Sequence, residues 1–289
     1  MSNRLLYLVS ILIWGSTWFA IEFQLGSVAP EVSIVYRYVI AATLLFAWCL
    51  ARGLKLRYGW PDHLRFAAMG LLMFGLNYVF AYRAQVHITS ALSAITFSTM
   101  LWMNIINTRI FFGTRAGWRV LLGAALGVAG IVVLFGPQVG ELALDDKILL
   151  GCLLAAGGAL SASFGNMVSQ SAQHRGLPVV QSNAWGMLYG AVLTGGFAYA
   201  GGHPLAFDWS PSYIISLLYL AVFGSVVAFW AYLTLLGRIG AHKAGYVTVM
   251  FPVVALVLSA LFEGLVIDAS VVIGATLVIA GNLFVLAKT

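Results

Sequence analysis

Glu22 and Arg37 are ionisable residues that fall within long apolar runs, where a charge is costly and therefore marks a functional candidate. Glu22 lies near the end of the first run, and Arg37 lies about 10 Å into the second at a rise of 1.5 Å per residue. If the two runs are antiparallel helices, the side chains come within reach of one another. Two readings then stand open: a gate that answers to protons or to a substrate carboxylate, or a structural pair in which Arg37 reaches outward to water. Aromatic and amide residues at helical spacing form a second constellation. Tyr78 and Tyr82 are four apart and share a face beside Asn77, and Trp14 with Trp18 and Trp185 with Tyr189 repeat that spacing. Phe97, Phe164, Asn166 and Tyr246 lie in other apolar runs. Tyrosine hydroxyls in the middle of such a run need partners where no water reaches. The expectation is an amphipathic cavity in which Trp18, Asn77, Tyr78, Tyr82, Phe97, Phe164, Asn166, Trp185 and Tyr246 bind a small organic solute. Glu22 and Arg37 are the gate or ion-pair candidates. The competing reading of each single aromatic is core packing.

Other chemistries find little support in the residues. An intramembrane enzyme needs a nucleophile with its base, or metal ligands, at membrane depth. The chain offers no HExxH, no GxSxG and no mid-run His–Ser or Asp–Asp combination, so neither an enzyme nor a metal site is expected. A channel would need a ring of polar or charged groups. Nucleotide-binding loops are missing, no cofactor is implied, and Cys49 and Cys152 sit inside apolar runs rather than in a disulfide framework. The net charge of +6 is spread over short loops, which argues against a nucleic-acid partner.

These residues sit on ten apolar segments: Leu5–Leu25, Val32–Leu50, Leu64–Tyr82, Ile88–Asn107, Trp118–Phe135, Ile148–Ser169, Val179–Tyr199, Ile214–Leu236, Ala244–Phe262 and Ser270–Ala287. Each approaches the roughly 17–25 residues that a helix needs to cross a bilayer. The composition, 62% hydrophobic and 8% charged, fits a membrane protein. Of the 15 basic residues, Arg4, Arg52, Lys55, Arg57, Arg65, Arg109, Arg115, Arg119, Arg175, Arg238, Lys243 and Lys288 fall on one side of the threading. Arg83 and Lys147 fall on the other, with Glu31, Glu141, Asp145, Asp146, Asp208, Glu263 and Asp268. The positive-inside rule then places both termini in the cytoplasm. The first segment is read as a spanning helix rather than a signal peptide, and no loop has room for a soluble domain.

The run from Gly123 to Gly130 (Gly-Ala-Ala-Leu-Gly-Val-Ala-Gly) matches the run from Gly274 to Gly281 (Gly-Ala-Thr-Leu-Val-Ile-Ala-Gly). Pro30 and Pro178 each open the second segment of a half. Five crossings is an odd number, so a second copy must enter from the opposite side. The expected fold is therefore an all-α integral membrane protein of ten transmembrane helices, arranged as two five-helix inverted repeats over 1–136 and 148–289.

The order of these features resembles the drug/metabolite transporter superfamily and, within it, the EamA-type ten-helix carriers. The resemblance rests on Leu12-Ile-Trp-Gly-Ser-Thr-Trp18, on Pro30 with Arg37, on Tyr82-Arg-Ala84 leading into Thr89–Ala94, and on Pro252, Glu263 and the Gly274/Gly281 pair. The first half departs from it, because no carboxylate stands at the place matching Glu263. The resemblance implies a monomeric secondary transporter of the inner membrane, moving a small-molecule substrate through the lipid bilayer by alternating access. Export of aromatic or other apolar amino acids is the reading nearest to it, and a broad-specificity metabolite or drug exporter is the alternative.

Overall fold

The computed structural model describes residues 1–140, 146–254, 257 and 269–286. Glu141, Asp145, Glu263 and Asp268 lie outside the described residues. Every regular element among those described is helical. In chain order these are α1 (Asn3–Glu22), α2 (Pro30–Ala51), α3 (Trp60–Gln85), α4 (Ser90–Phe97), α5 (Met100–Phe112) and α6 (Trp118–Gly140). The second half adds α7 (Asp146–His174), α8 (Val179–Ala200), α9 (Pro211–Ile239), α10 (Ala241–Ala244), α11 (Tyr246–Val249) and α12 (Ala269–Leu286). Five of them, α1, α2, α3, α7 and α9, are long and apolar enough to cross a membrane, and α6 and α12 contribute shorter apolar stretches.

Local chemistry sets the starts of these helices. Ser2, Thr89 and Ser210 cap α1, α4 and α9 by accepting from the backbone N–H three residues on, while Pro30 and Pro211 occupy first-turn positions where a missing N–H costs nothing. Gly113, at φ +66°, ends α5 in the left-handed conformation that a side chain would resist.

Two helices carry a stretch of π-helix. Gly70–Leu76 interrupts α3 and Leu220–Val227 interrupts α9. In α9 the Ser225 hydroxyl donates to the Leu220 carbonyl at 3.0 Å, five residues back, which satisfies an acceptor that the wider turn displaces. In α3 the π stretch begins where the backbone of α8 comes close: a Cβ added at Gly70 would meet the Gly186 carbonyl and the Gly190 N–H at 2.8 Å each.

The packing comes in matched sets. The last part of α3 lies along α7 as the last part of α9 lies along α1. The π stretch of α3 rests on α8, and that of α9 rests on α2. Two further pairs, α2 with α8 and α6 with α12, join the halves directly. Contacts between connections fix which ends meet. Arg238 at the close of α9 donates to the Met1 carbonyl, and Ser27 between α1 and α2 donates to Asp208 between α8 and α9. The core is dominated by aromatic and aliphatic side chains of α1, α3, α9 and α11.

Candidate functional site

A cavity of about 60 Å³ lies where α1, α3, α7, α9 and the broken helices converge. Its wall is mostly aromatic: Trp14 and Trp18 from α1, Tyr78 from α3, Phe97 from α4, Phe229 from α9, and Phe251 just beyond α11. Thr17, Asn77, Asn166 and Thr248 supply polar groups, and Ile21, Met73, Ala81, Met100 and Ala162 complete the surface. Both halves of the chain therefore build it.

On α1 the lining follows helical arithmetic, since Trp14, Thr17, Trp18 and Ile21 are spaced i, i+3, i+4 and i+7. Trp14 is locked in place by an Nε1–H bond to the Gly224 carbonyl at 3.0 Å, inside the π stretch of α9, and packs on Phe229, Tyr232 and Phe251. Trp18 meets Phe97 edge to face at 5.4 Å. Such ring pairs contribute about 0.5–1.5 kcal/mol each beyond their burial and hold the wall in one arrangement.

The amides are less completely satisfied. Asn77 donates to the Met73 carbonyl at 3.1 Å, but its buried Oδ1 has no partner among the described residues. Asn166 donates to the Tyr232 hydroxyl at 3.0 Å and to Asn104 Oδ1 at 3.2 Å. Two helix breaks flank the cavity as well. Ser98 and Thr99 separate α4 from α5 beside Phe97 and Met100, and α11 ends beside Thr248 and Phe251.

Behind Tyr78 lies Arg37, which is 1% exposed. Its Nε donates to Ser225 Oγ at 2.8 Å, Nη1 reaches the Tyr82 hydroxyl at 3.4 Å and Nη2 the Tyr78 hydroxyl at 3.4 Å. The guanidinium carbon stands 4.5 Å from the centre of the Tyr78 ring and 5.6 Å from that of Tyr38. An arginine at the centre of a spanning helix costs about 2.5–3.5 kcal/mol on insertion scales. Ring contacts with a desolvated cation return about 2 kcal/mol of that.

The expected Glu22–Arg37 pair is not made. Glu22 ends α1 with its side chain exposed, while Arg37 turns inward to hydroxyls. The ion pairs among the described residues are Arg65–Asp62 and Arg83–Glu31. Glu31, read from sequence as a loop acid, is 3% exposed and accepts from Arg83 Nε at 2.5 Å where α2 begins and α3 ends.

The structure brings five of the nine expected binding residues to the cavity wall: Trp18, Asn77, Tyr78, Phe97 and Asn166. Tyr82 stands one layer back, on Arg37. The other three lie elsewhere. Trp185 donates to the Leu56 carbonyl at 3.2 Å and packs on His63, Tyr189 and Phe46. Phe164 meets Phe111, whose ring is exposed on the outer surface of the bundle. Tyr246 is fully buried and donates its hydroxyl to the Val120 carbonyl of α6. The cavity also gains Thr17, Phe229, Thr248 and Phe251, which the sequence reading does not single out. The stripe on α1 carried the signal for Thr17, and nothing local carried one for Phe229.

Comparison with known proteins places this architecture. A family model for the EamA-like transporter family matches residues 2–136 and 149–287. The chain is 25% identical over 284 residues to an uncharacterized transporter, YoaV, of Bacillus subtilis, covering 97% of this chain and 96% of that one. It is 30% identical over 249 residues to an uncharacterized inner membrane transporter, YedA, of Escherichia coli, covering 86% of this chain and 78% of that one. A probable amino-acid metabolite efflux pump of Escherichia coli is 23% identical over 290 residues, covering 96% and 93% of the two chains. A crystal structure with 21% sequence identity superposes with a TM-score of 0.81 over 99% of this chain and 97% of that one, which shows a shared fold.

Proposed function

The chain belongs to the EamA-like transporter family, and we propose that it is a secondary carrier exporting aromatic or other apolar amino acids across the inner membrane by alternating access. In this reading ten crossings form two inverted five-helix repeats, both termini lie in the cytoplasm, and the carrier works as a monomer. The matched packing of α3 on α7 and α9 on α1 supports the inverted arrangement. The observation that carries the function is the cavity itself, walled by six aromatic rings from both halves and punctuated by amides and hydroxyls. Aromatic walls accept an apolar side chain at little desolvation cost, and the unpartnered Asn77 Oδ1 offers an acceptor to an ammonium group. The relative named a probable amino-acid metabolite efflux pump points the same way.

Counterflow of radiolabelled phenylalanine into proteoliposomes tests this. Wild-type protein is expected to give saturable exchange, and Trp18→Ala or Tyr78→Ala to reduce it at least tenfold at equal insertion. Normal exchange by both variants removes the cavity from the transport path. Wild-type exchange of unrelated cationic drugs but not of phenylalanine favours a broad drug exporter instead.

A further inference from the structure

Arg37 is a buried cation to which the described residues supply no anion. Its five N–H donors find one short bond, to the neutral Ser225 hydroxyl at 2.8 Å, and two long ones at 3.4 Å to Tyr78 and Tyr82. Hydroxyls neutralise no charge. A guanidinium is shaped to take a carboxylate in two parallel bonds, and in a dry interior an unmatched one is strongly disfavoured. The group is also close to the cavity. Tyr78 links the two, since this residue lines the cavity and its ring centre lies 4.5 Å from the guanidinium carbon. Gly224 packs against both: a Cβ added there would stand 2.9 Å from Cγ2 of the cavity-lining Thr17 and 3.0 Å from Arg37 Nη2.

One residue before Tyr78, Asn77 presents the opposite deficiency: a buried carbonyl oxygen with no donor. A cation without an anion on α2 thus packs against Tyr78, and the residue before that tyrosine on α3 carries an acceptor without a donor. That pattern is the complement of a zwitterion.

We infer that Arg37 is the anion subsite of the cavity and takes the carboxylate of the transported solute when the Tyr78 ring swings aside, while Asn77 Oδ1 accepts from its ammonium. This rests on the carrier reading above and narrows the cargo to carboxylates. Tyr78 and Tyr82 then act twice, shielding the charge when the cavity is empty and donating their hydroxyls to the carboxylate when it is full.

The test is ligand-dependent thermal stabilisation of the full-length protein in detergent with four probes: phenylalanine, 3-phenylpropionate (carboxylate only), phenethylamine (amine only) and alanine (no ring). Wild type is expected to respond to phenylalanine and 3-phenylpropionate, and more weakly to phenethylamine. Arg37→Gln is expected to weaken both at least tenfold and to leave the response to phenethylamine unchanged. Arg37→Lys, which keeps the charge and guards against a folding defect, is expected to retain a weaker carboxylate response. A wild-type response to phenylalanine that Arg37→Gln preserves overturns the anion subsite and leaves the aromatic cavity standing. An equal loss for all aromatic probes makes Arg37 a packing residue and also overturns it. A response to alanine that Arg37→Gln abolishes, with none to phenylalanine, keeps the anion subsite and sinks the aromatic cargo. Silence from the wild type to all four overturns both.

Discussion

The Ser98 hydroxyl lies 3.1 Å from the backbone carbonyl of Thr248, a residue 150 positions further along the chain. Ser98 shares its proton between that carbonyl and the Ala94 carbonyl of its own helix, at 3.0 Å. The same offset of 150 carries Ala81-Tyr82 onto Ala231-Tyr232 and Met100 onto Met250. The bond therefore joins like positions of the two halves, beside the point where each half interrupts a helix. Both interruptions open onto the cavity, through Phe97 and Met100 on one side and Thr248 and Phe251 on the other. In carriers, broken helices are tolerated where their freed backbone groups line a site rather than face lipid.

A reciprocal contact of the same kind gives the first prediction. A Cβ added at Gly130 would stand 2.7 Å from the Gly274 carbonyl, and one added at Gly281 would stand 2.7 Å from the Gly123 carbonyl. The two matched Gly-Ala runs thus face each other across α6 and α12, and their small-residue pairs serve packing within the chain. Gly130→Ala and Gly281→Ala are expected to cost about 1–3 kcal/mol each by overpacking and to lower the detergent Tm by about 2–10 °C. Gly196→Ala, where no atom lies within 4 Å, is the control and should match or slightly exceed wild type. Equal Tm values for all three would show that α6 and α12 do not meet through these glycines.

Trp185 and Trp18 make a second, contrasting pair. Trp18 lines the cavity, whereas Trp185 braces α8 against His63 and the Leu56 carbonyl. Trp185→Ala is expected to lower Tm, with a loss of about 2 kcal/mol for a half-buried ring, and to leave the KM for phenylalanine within twofold of wild type. Trp18→Ala should raise that KM at least tenfold. A large KM change for Trp185→Ala would return that residue to the transport path.

Much of this was legible from sequence because it depends on local periodicity. The shared face of Trp14 and Trp18 follows from spacing, the starts of α2 and α8 from Pro30 and Pro178, and the distance of Arg37 into its helix from counting. Partners were not legible. Glu22 ends α1 and Arg37 lies two turns into α2, and the rotation of each helix about its axis, set by long-range packing, turns Glu22 out and Arg37 in. The π stretches explain a further miss. Gly70–Leu76 and Leu220–Val227 contain no proline to announce them, and a widened turn shifts the phase of every residue beyond it. Phe229, two residues past such a stretch, lines the cavity.

Acid stability supplies a third prediction. The Ser27 hydroxyl donates to Asp208 Oδ2 at 2.7 Å and the Ser210 N–H to Oδ1 at 2.8 Å. The Ser27 bond first, and the Ser210 bond after it, hold the carboxyl below its ordinary value of 3.8. A depressed folded value means that the ionised form stabilises the tie. Its contribution is complete above 3.8 and is lost as pH falls through the lower folded value. Asp208→Asn should therefore lower Tm slightly in the neutral region, flatten the acid limb of the Tm-against-pH curve and meet wild type at low pH. An acid limb identical to wild type would assign the loss to other carboxylates.

The cavity wall can be perturbed without touching its surface, through Tyr232. This side chain is buried behind Asn166, packs on Trp14 at 4.9 Å, and accepts from Asn166 Nδ2 at 3.0 Å. Tyr232→Phe keeps the ring and its packing but removes the acceptor, leaving the Asn166 amide with Asn104 Oδ1 at 3.2 Å as its remaining side-chain oxygen acceptor. A buried donor that loses its partner costs about 1–3 kcal/mol, so Tm should fall by several degrees. The amide also lines the cavity, and its orientation was fixed by the lost bond. Freed, it should turn toward the cavity in part of the population and raise the KM for phenylalanine several-fold while kcat changes less. Tyr232→Leu, which deletes ring and hydroxyl together, should lower Tm further and cost more transport. A Tyr232→Phe protein with wild-type Tm and KM would show that Asn166 is held by its helix alone.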